Sequence, residues 1–358
     1  MLVMLGESIL NESSRGPQQI NRLYYQFLTK RLGSGFMYHG YSSGLRSKVA
    51  FALYLPIFII RWRQAQFLVN SNSPFLLLYL QLLKAVLRFG LVVVIHGSAQ
   101  LEAEFYFERR KALVSATEKL ALRLTKSVIT VSNLYAAKLR PLLSRNCKIS
   151  VVHNCIGETL LTPWSDKLRT ANKPISIMYN GGIDRQKGFF KLSELLQFLD
   201  RNHFACKVYI VGRVYPPLAH MANELRRIQY SYVSIEIEDR FLPKEQLFGK
   251  LKECHVLLAP SLQDSFNVSV LEAMAMGVVP ITTVQSGISE IIESGKEGLV
   301  VNICDKDFGV KVLDFLTALS RDCGLREEIA IKASEKASHF TCEKIMPILL
   351  QQISRLSS

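Results

Sequence analysis

Between Glu12 and Glu102 the chain has no acidic residue. Ten lysines and arginines fall in that gap. Residues 1–150 hold 20 basic and six acidic side chains, a surplus of 14, whereas the rest of the chain holds 24 of each. An imbalance of this size directs the first part of the chain at something anionic. Nucleic acid would satisfy the charge, but no nucleic-acid recognition motif accompanies it, and no nucleic-acid partner is expected.

Long apolar runs are also missing. Gln81, Lys84 and Arg88 interrupt the longest candidate, so no segment reaches the roughly 18 clean residues a spanning helix needs. The hydrophobic content is nevertheless 49% and the mean hydropathy +0.16. Apolar helices edged by Arg46, Lys48, Arg61, Arg63, Lys84 and Arg88 suit peripheral attachment to an anionic membrane surface. Each basic group near an anionic leaflet adds about 1 kcal/mol, so four would localise the protein. The opening residues MLVML run straight into a polar loop, which does not read as a signal peptide, so the cytoplasmic face is expected. The seven cysteines are odd in number and contain no C-x-x-C pair. That argues against zinc and predicts reduced core thiols rather than disulfides. A nicotinamide fingerprint is absent too, since the loop after the first strand offers only Gly6 and Gly16. No D-x-D lies within an apolar strand, and no metal is expected.

What is present is alternation. At 358 residues the chain exceeds one core and reads as two domains, residues 1–160 and 161–342, with a last amphipathic helix over 343–358. In the first part, short strands at Leu2–Leu5, Phe36–His39, Gln66–Asn70, Leu91–Ile95 and Ser127–Val131 alternate with helical stretches. One of those, Arg46–Ile60, is expected to break at Pro56. Another is expected to run from Ser98 to Lys126. The polar, Pro-containing stretch 157–174 reads as a linker. A second alternating set begins with ISIMYN at Ile175. Apolar strands separated by helices argue for βαβ units on parallel sheets, where ligands bind beyond the carboxyl ends of the strands.

One stretch organises the second set. Residues 255–301 read as a buried strand, Pro260, a polar loop to Asn267, a helix over Val268–Met276 with Gly277 as its cap, and a second buried strand. Asp264, Ser265, Phe266 and Asn267 fall at the strand edge, and Glu272 about one turn into the helix. Helix N-termini at such edges present N–H groups to anions, so a phosphate-bearing ligand fits. The GGIDRQKG loop after Asn180 is a second phosphate candidate, with Gly181 and Gly182 for close backbone approach and Arg185 and Lys187 for charge.

This stretch resembles the donor-sugar motif of family 4 retaining glycosyltransferases, an acidic residue, seven residues and a glutamate within PS-x-x-E-x-F-G-x-x-x-L-E-A-M-A-x-G. Pro260, Ser261, Phe266, Leu271, Glu272, Ala273, Met274, Ala275 and Gly277 match in register. The first acid is Asp264 rather than glutamate, and Asn267 stands for the usual glycine. Lys187-Gly188 matches the end of the family's G-R-L-x-x-x-K-G, whose arginine falls on Gly182, with Arg185 three residues on. His96-Gly97 at a strand end resembles the family's cleft histidine, and Gly16 its first-loop glycine.

The resemblance implies a GT-B fold: two Rossmann-like, doubly wound parallel-sheet domains facing across a cleft, the last helix crossing back to the first domain. It implies metal-independent transfer of a hexose-type sugar from a UDP- or GDP-type nucleotide sugar, a substrate rather than a cofactor, to a glycan or lipid-linked acceptor. Lys187, Arg185, Asp264 and His96 would serve the chemistry. Glu272, Gly16, Gly181, Gly182, Ser265, Phe266, Asn267 and Val268 would hold the donor. The departures at Asp264, Gly182 and Asn267 keep open a degenerate domain that binds a nucleotide sugar or a partner without turnover.

Overall fold

The structure, a computed structural model, describes residues 1–7, 16–42, 44–70, 73–102, 105, 111–161 and 174–357. The chain divides into two compact units, one formed by Met1–Gly157 with Phe340–Ser358 and the other by Glu158–His339.

The first unit runs β1 (Leu2–Glu7), α1 (Gly16–Leu32), β2 (Phe36–Tyr41), α2 (Leu45–Arg61), β3 (Gln66–Asn70), α3 (Pro74–Leu87) and β4 (Gly90–Ile95). It continues through α4 (Ala99–Glu102), α5 (Lys111–Leu124), β5 (Ser127–Thr130), α6 (Asn133–Leu139) and β6 (Lys148–Val151). Its six strands are parallel in the order β2-β1-β3-β4-β5-β6. Val3, Leu5, Phe67, Val69, Leu91 and Val93 fill the core beneath α2 and α3 with Leu55, Ile59 and Leu80. Right-handed crossovers from β2 to β3, β3 to β4 and β4 to β5 put α2, α3 and α5 on one face.

Two expectations for this unit need correcting. The helix expected to break at Pro56 is continuous as α2. A proline leaves the carbonyl four residues back without its helical partner. Here the Tyr79 hydroxyl of α3 donates to the Ala52 oxygen at 2.8 Å, so the helix continues without an orphaned acceptor. The single helix expected over Ser98–Lys126 is two, α4 and α5; Glu104, Glu108, Arg109 and Arg110 lie outside the described residues.

The second unit runs β7 (Ile175–Asn180), α7 (Phe189–Arg201), β8 (Cys206–Val211), α8 (Ala219–Arg227), β9 (Val233–Glu238), α9 (Lys244–Lys252) and β10 (Val256–Ala259). Then follow α10 (Val268–Ala275), β11 (Val279–Thr283), β12 (Leu299–Val301), α11 (Phe308–Arg321) and α12 (Cys323–Ser338). The sheet order is β12-β11-β10-β7-β8-β9, parallel throughout. From β7 the chain winds outward through β8 and β9, then returns to β10 on the other side of β7 and winds outward again. The reversal lies between β7 and β10, and an open α/β sheet opens its ligand crevice at such a switch point.

The last helix, α13 (Cys342–Ser357), belongs to the first unit and packs on α1, β4 and β5, with the Ser127 hydroxyl donating to the Leu356 carbonyl at 3.1 Å. The outgoing and returning chains run side by side there: Ile156 N–H donates to Phe340 O and Cys342 N–H to Ile156 O, both at 3.0 Å. Cys155 and Cys342 form a disulfide across this pair, 187 residues apart. This corrects the expectation of reduced thiols throughout. Cysteine spacing cannot reveal the pairing, because only the return of α13 brings those two Cα atoms within 5.0 Å. No helix among the described residues is long and apolar enough to cross a membrane.

Candidate active site

The loops after β7 and β10 meet at the switch point of the second unit because glycine lets them. Gly188, the N-cap of α7, has φ +79°, and a Cβ on it would collide with the Pro260 carbonyl oxygen. Leu262 N–H donates to Gln186 O at 2.9 Å, locking the two loops edge to edge. The Asp184 carboxylate accepts from Gln186 N–H at 2.8 Å and curls the first loop, so that Lys187 turns toward the second. Lys187 Nζ then reaches Asp264 Oδ2 at 2.6 Å.

Asp264 is buried and doubly engaged. Its Oδ1 accepts from Phe266 N–H at 3.3 Å, which shapes the turn into α10, while Oδ2 faces Lys187. Its backbone pairs with the segment after β11: Asp264 N–H donates to Gln285 O at 3.3 Å and Gly287 N–H to Asp264 O at 3.0 Å. Asn267 caps α10 by position only, since its side chain makes no cap bond. The first N–H groups of a helix have no intrahelical acceptor, so Val268 and its neighbours present donors at this edge. Asn180, the last residue of β7, reaches Ser269 Oγ at 3.4 Å and ties the start of α10 to the same edge.

Glu272 sits one turn further along, buried in α10. Burial holds its carboxyl above the usual carboxylate range, and Lys244 pulls the other way, its Nζ 3.2 Å from Glu272 Oε1. Lys244, the first residue of α9, escapes a reading of the sequence. No motif surrounds it, and only the tertiary fold brings it, 28 residues away in sequence, to the glutamate.

The remaining expected residues divide. Gly181 lies against Lys187, where a Cβ would stand 2.9 Å from the lysine Cβ and 3.0 Å from the Tyr179 hydroxyl. Gly182 has φ +65° and is pressed against the Arg213 backbone, which a Cβ there would strike. The position that carries an arginine in the resembling motif thus has no room here for any side chain. Arg185 is exposed, Ser265 and Asn267 are half-buried, and Phe266 is turned into the core at 3% exposure, leaving its backbone to face the edge. In the first unit, His96 follows β4 and is buried, and burial pushes its imidazole down to about 4, so it is neutral at physiological pH. Gly16 is the first residue of α1; the loop before it lies outside the described residues. The D-x-D that the chain does contain, Asp305-Lys306-Asp307, spends both carboxylates on Lys311, at 3.0 and 3.1 Å.

The strand edge thus gathers a lysine, two carboxylates and a helix start, and comparison with known proteins adds the family. The family described as Glycosyl transferases group 1 matches residues 174–318, and that described as Glycosyltransferase Family 4 matches residues 27–159. The chain belongs to the family 4 glycosyltransferases. Its fold is GT-B, with two Rossmann-like domains. It is 25% identical over 182 residues to WcaL of Salmonella typhimurium, named for a glycosyltransferase of colanic acid biosynthesis, a match covering 49% of this chain and 43% of that protein. The match thus spans less than half the length of that relative. It is 34% identical over 85 residues to a D-inositol 3-phosphate glycosyltransferase of Corynebacterium jeikeium, covering 22% of this chain and 20% of that one. Among solved structures, Anabaena HepE with UDP-glucose aligns at TM-score 0.73 and 15% identity, over 99% of this chain and 100% of that one. Sucrose-phosphate synthase of Thermosynechococcus elongatus aligns at 0.75 and 16%, over 99% of each. At such identities the likeness shows the fold.

Proposed function

We propose that this family 4 glycosyltransferase is a retaining, metal-independent enzyme. It moves a hexose-type sugar from a UDP- or GDP-type nucleotide sugar to a glycan or lipid-linked acceptor in cell-surface polysaccharide or glycolipid synthesis. The observation that carries the reading is the Lys187–Asp264 contact at the β7/β10 switch point, with Glu272 on the same strand edge. Cleaving the sugar–diphosphate bond builds positive charge on the ring and negative charge on the leaving phosphates. Cations and N–H groups fixed beforehand around that developing charge are ordinarily the largest catalytic contribution. Lys187, with Arg185 from the same loop and the N–H groups at Val268, supplies them. On donor binding Lys187 passes from Asp264 to the diphosphate, and Asp264 takes a sugar hydroxyl. Glu272 accepts from the ribose hydroxyls, with Lys244 opposing the effect of burial on its carboxyl. The acceptor oxygen attacks from the face the diphosphate leaves, and its proton goes to a departing phosphate oxygen, so no protein nucleophile is required. His96, buried at the end of β4 and neutral, offers a hydrogen-bonding imidazole rather than a charge.

The WcaL likeness supports a polysaccharide setting, and HepE, solved with UDP-glucose, a nucleotide-sugar donor. The basic surplus of the first 150 residues supports peripheral attachment to the cytoplasmic face of an anionic membrane. One observation favours a second reading, a domain that binds a nucleotide sugar or partner without turnover: Gly182 leaves the phosphate site one cation short.

Thermal shifts with UDP, GDP and ADP, followed by sugar release from the matching donor, separate the readings. Turnover predicts that one nucleotide raises the melting temperature by mass action, and that Lys187→Ala lowers turnover by about 100-fold or more. Stabilisation without any sugar release supports the non-catalytic reading. Stabilisation by none of the three removes the enzyme reading and leaves partner binding alone.

A further inference from the structure

Three neighbouring helices of the first unit are apolar on both faces, which a water-facing helix ordinarily is not. In α2 the residues at helical spacing Val49, Leu53, Ile57 and Ile60 point outward, Leu53 being 73% exposed, while Phe51, Leu55, Phe58 and Ile59 fill the core. In α3 the outward row is Phe75, Leu82 and Val86, the last 77% exposed. In α5 it is Leu113, Leu120 and Leu124. All three helices lie on one face of the sheet, α2 against α3 and α3 against α5. Contiguous exposed apolar surface of this kind marks a binding face.

The charges around the rows choose the occupant. Arg46, Lys48, Arg61 and Lys119 stand exposed or at helix ends beside them, and α2 and α3 contain no acid. The acid of α5, Glu118, is turned inward, accepting from the Ser98 hydroxyl at 2.8 Å and from the Ala99 and Gln100 N–H groups at 3.2 and 2.7 Å. The outward face of these helices therefore offers apolar rows among cations, with no carboxylate of its own to oppose them. A protein interface built from two copies of this face would bring like charges together. An anionic bilayer meets both halves of the pattern at once: phosphates for the cations and acyl chains for the rows. At 17 residues α2 is too short to span, so it lies in the plane of the interface.

We propose that the α2–α3–α5 face inserts its apolar rows into the interfacial layer of an anionic membrane, so that attachment is held by burial as well as by charge. This rests on the membrane reading above and specifies its surface. On the opposite face, α1 and α13 are left clear of the lipid.

Flotation of the full chain tests it, with phosphatidylcholine vesicles with and without phosphatidylglycerol, at low and high salt. The comparison variants are Leu53→Ser/Ile57→Ser/Val86→Ser and Arg46→Gln/Lys48→Gln/Arg61→Gln, each checked for an unchanged melting transition and donor hydrolysis. Wild type is expected to float with the anionic vesicles and to stay partly bound at high salt. The serine variant is expected to partition about 100-fold more weakly. Complete release at high salt, with the serine variant binding like wild type, overturns insertion but leaves charge-driven attachment standing. No flotation of wild type under any condition removes both. A wild-type dimer that becomes a monomer in the serine variant, neither floating, gives the face to a second copy and overturns the proposal.

Discussion

The two Rossmann-like units use the same architecture for opposite ends. In the second, charge is balanced and turned on itself: Lys187 on Asp264, Lys244 on Glu272, and Lys207 and Lys250 on Glu236. In the first, the cations from Arg22 to Arg88 have no acid nearby in sequence, and the carboxylate of α5, Glu118, is spent inside. The second unit gathers Lys187, Asp264 and the start of α10 at the carboxyl edge of its sheet. The first turns its most distinctive surface outward, on the flank of a helical layer. The fold permits both because strands and helices only need one buried face each, and leave edge and flank free to differ.

Glycine substitution would break this comparison most sharply. Gly188→Ala in the second unit demands a side chain where the Pro260 carbonyl sits and where φ is +79°, so a loss of roughly 3 kcal/mol or more is expected. Gly44→Ala in the first unit meets open space at φ −68°, and a cost under about 1 kcal/mol is expected there. Urea denaturation of both variants measures the difference; equal costs would mean the two loops of the donor edge are not locked together.

Acid should act on the units in opposite directions. The folded pKa of His96, about 4, lies below its unfolded value of 6.5, so between those values the unfolded chain binds more protons. Its contribution is present above pH 6.5 and is lost as the pH falls toward 4, by roughly 3 kcal/mol in all. Glu272 has the reverse sign. Its folded pKa is raised, so its contribution is full at low pH and fades as the pH rises through the carboxylate range. Denaturation profiles of His96→Gln and Glu272→Gln should therefore flatten opposite slopes. Parallel shifts of both profiles would show that neither burial governs its group.

The smallest effect belongs to Lys244. Its side chain is 41% exposed, so the ion pair it makes is solvent-screened, and Lys244→Ala should raise the donor KM about fivefold at neutral pH. Lys244 favours the charged carboxylate against burial, so the loss should be larger at lower pH. A pH-independent loss would mean that Lys244 touches the donor directly.

Much of the second unit is legible in its amino-acid pattern. The alternation of apolar strands with helices marks β7, β10, α10 and β11 to within a residue or two, because buried parallel strands are short, apolar and flanked by turn residues. The pair Asp264 and Glu272 stands out because its spacing sits inside a dense motif. The helices α11 and α12 lie beyond that motif and are not marked by it, and no local pattern points to Lys244.

By itself, then, the sequence determined the fold class, the basic first half and the residues gathered at the candidate strand edge. These are properties of periodicity, composition and motif, which neighbours along the chain carry. Tertiary structure alone decided the unbroken course of α2 past Pro56, the Cys155–Cys342 bridge, the closure of position 182 to any side chain, and the alignment of three apolar rows on one face. Each depends on atoms distant in sequence, brought together by crossovers and by the returning helix, and no local pattern encodes such distances.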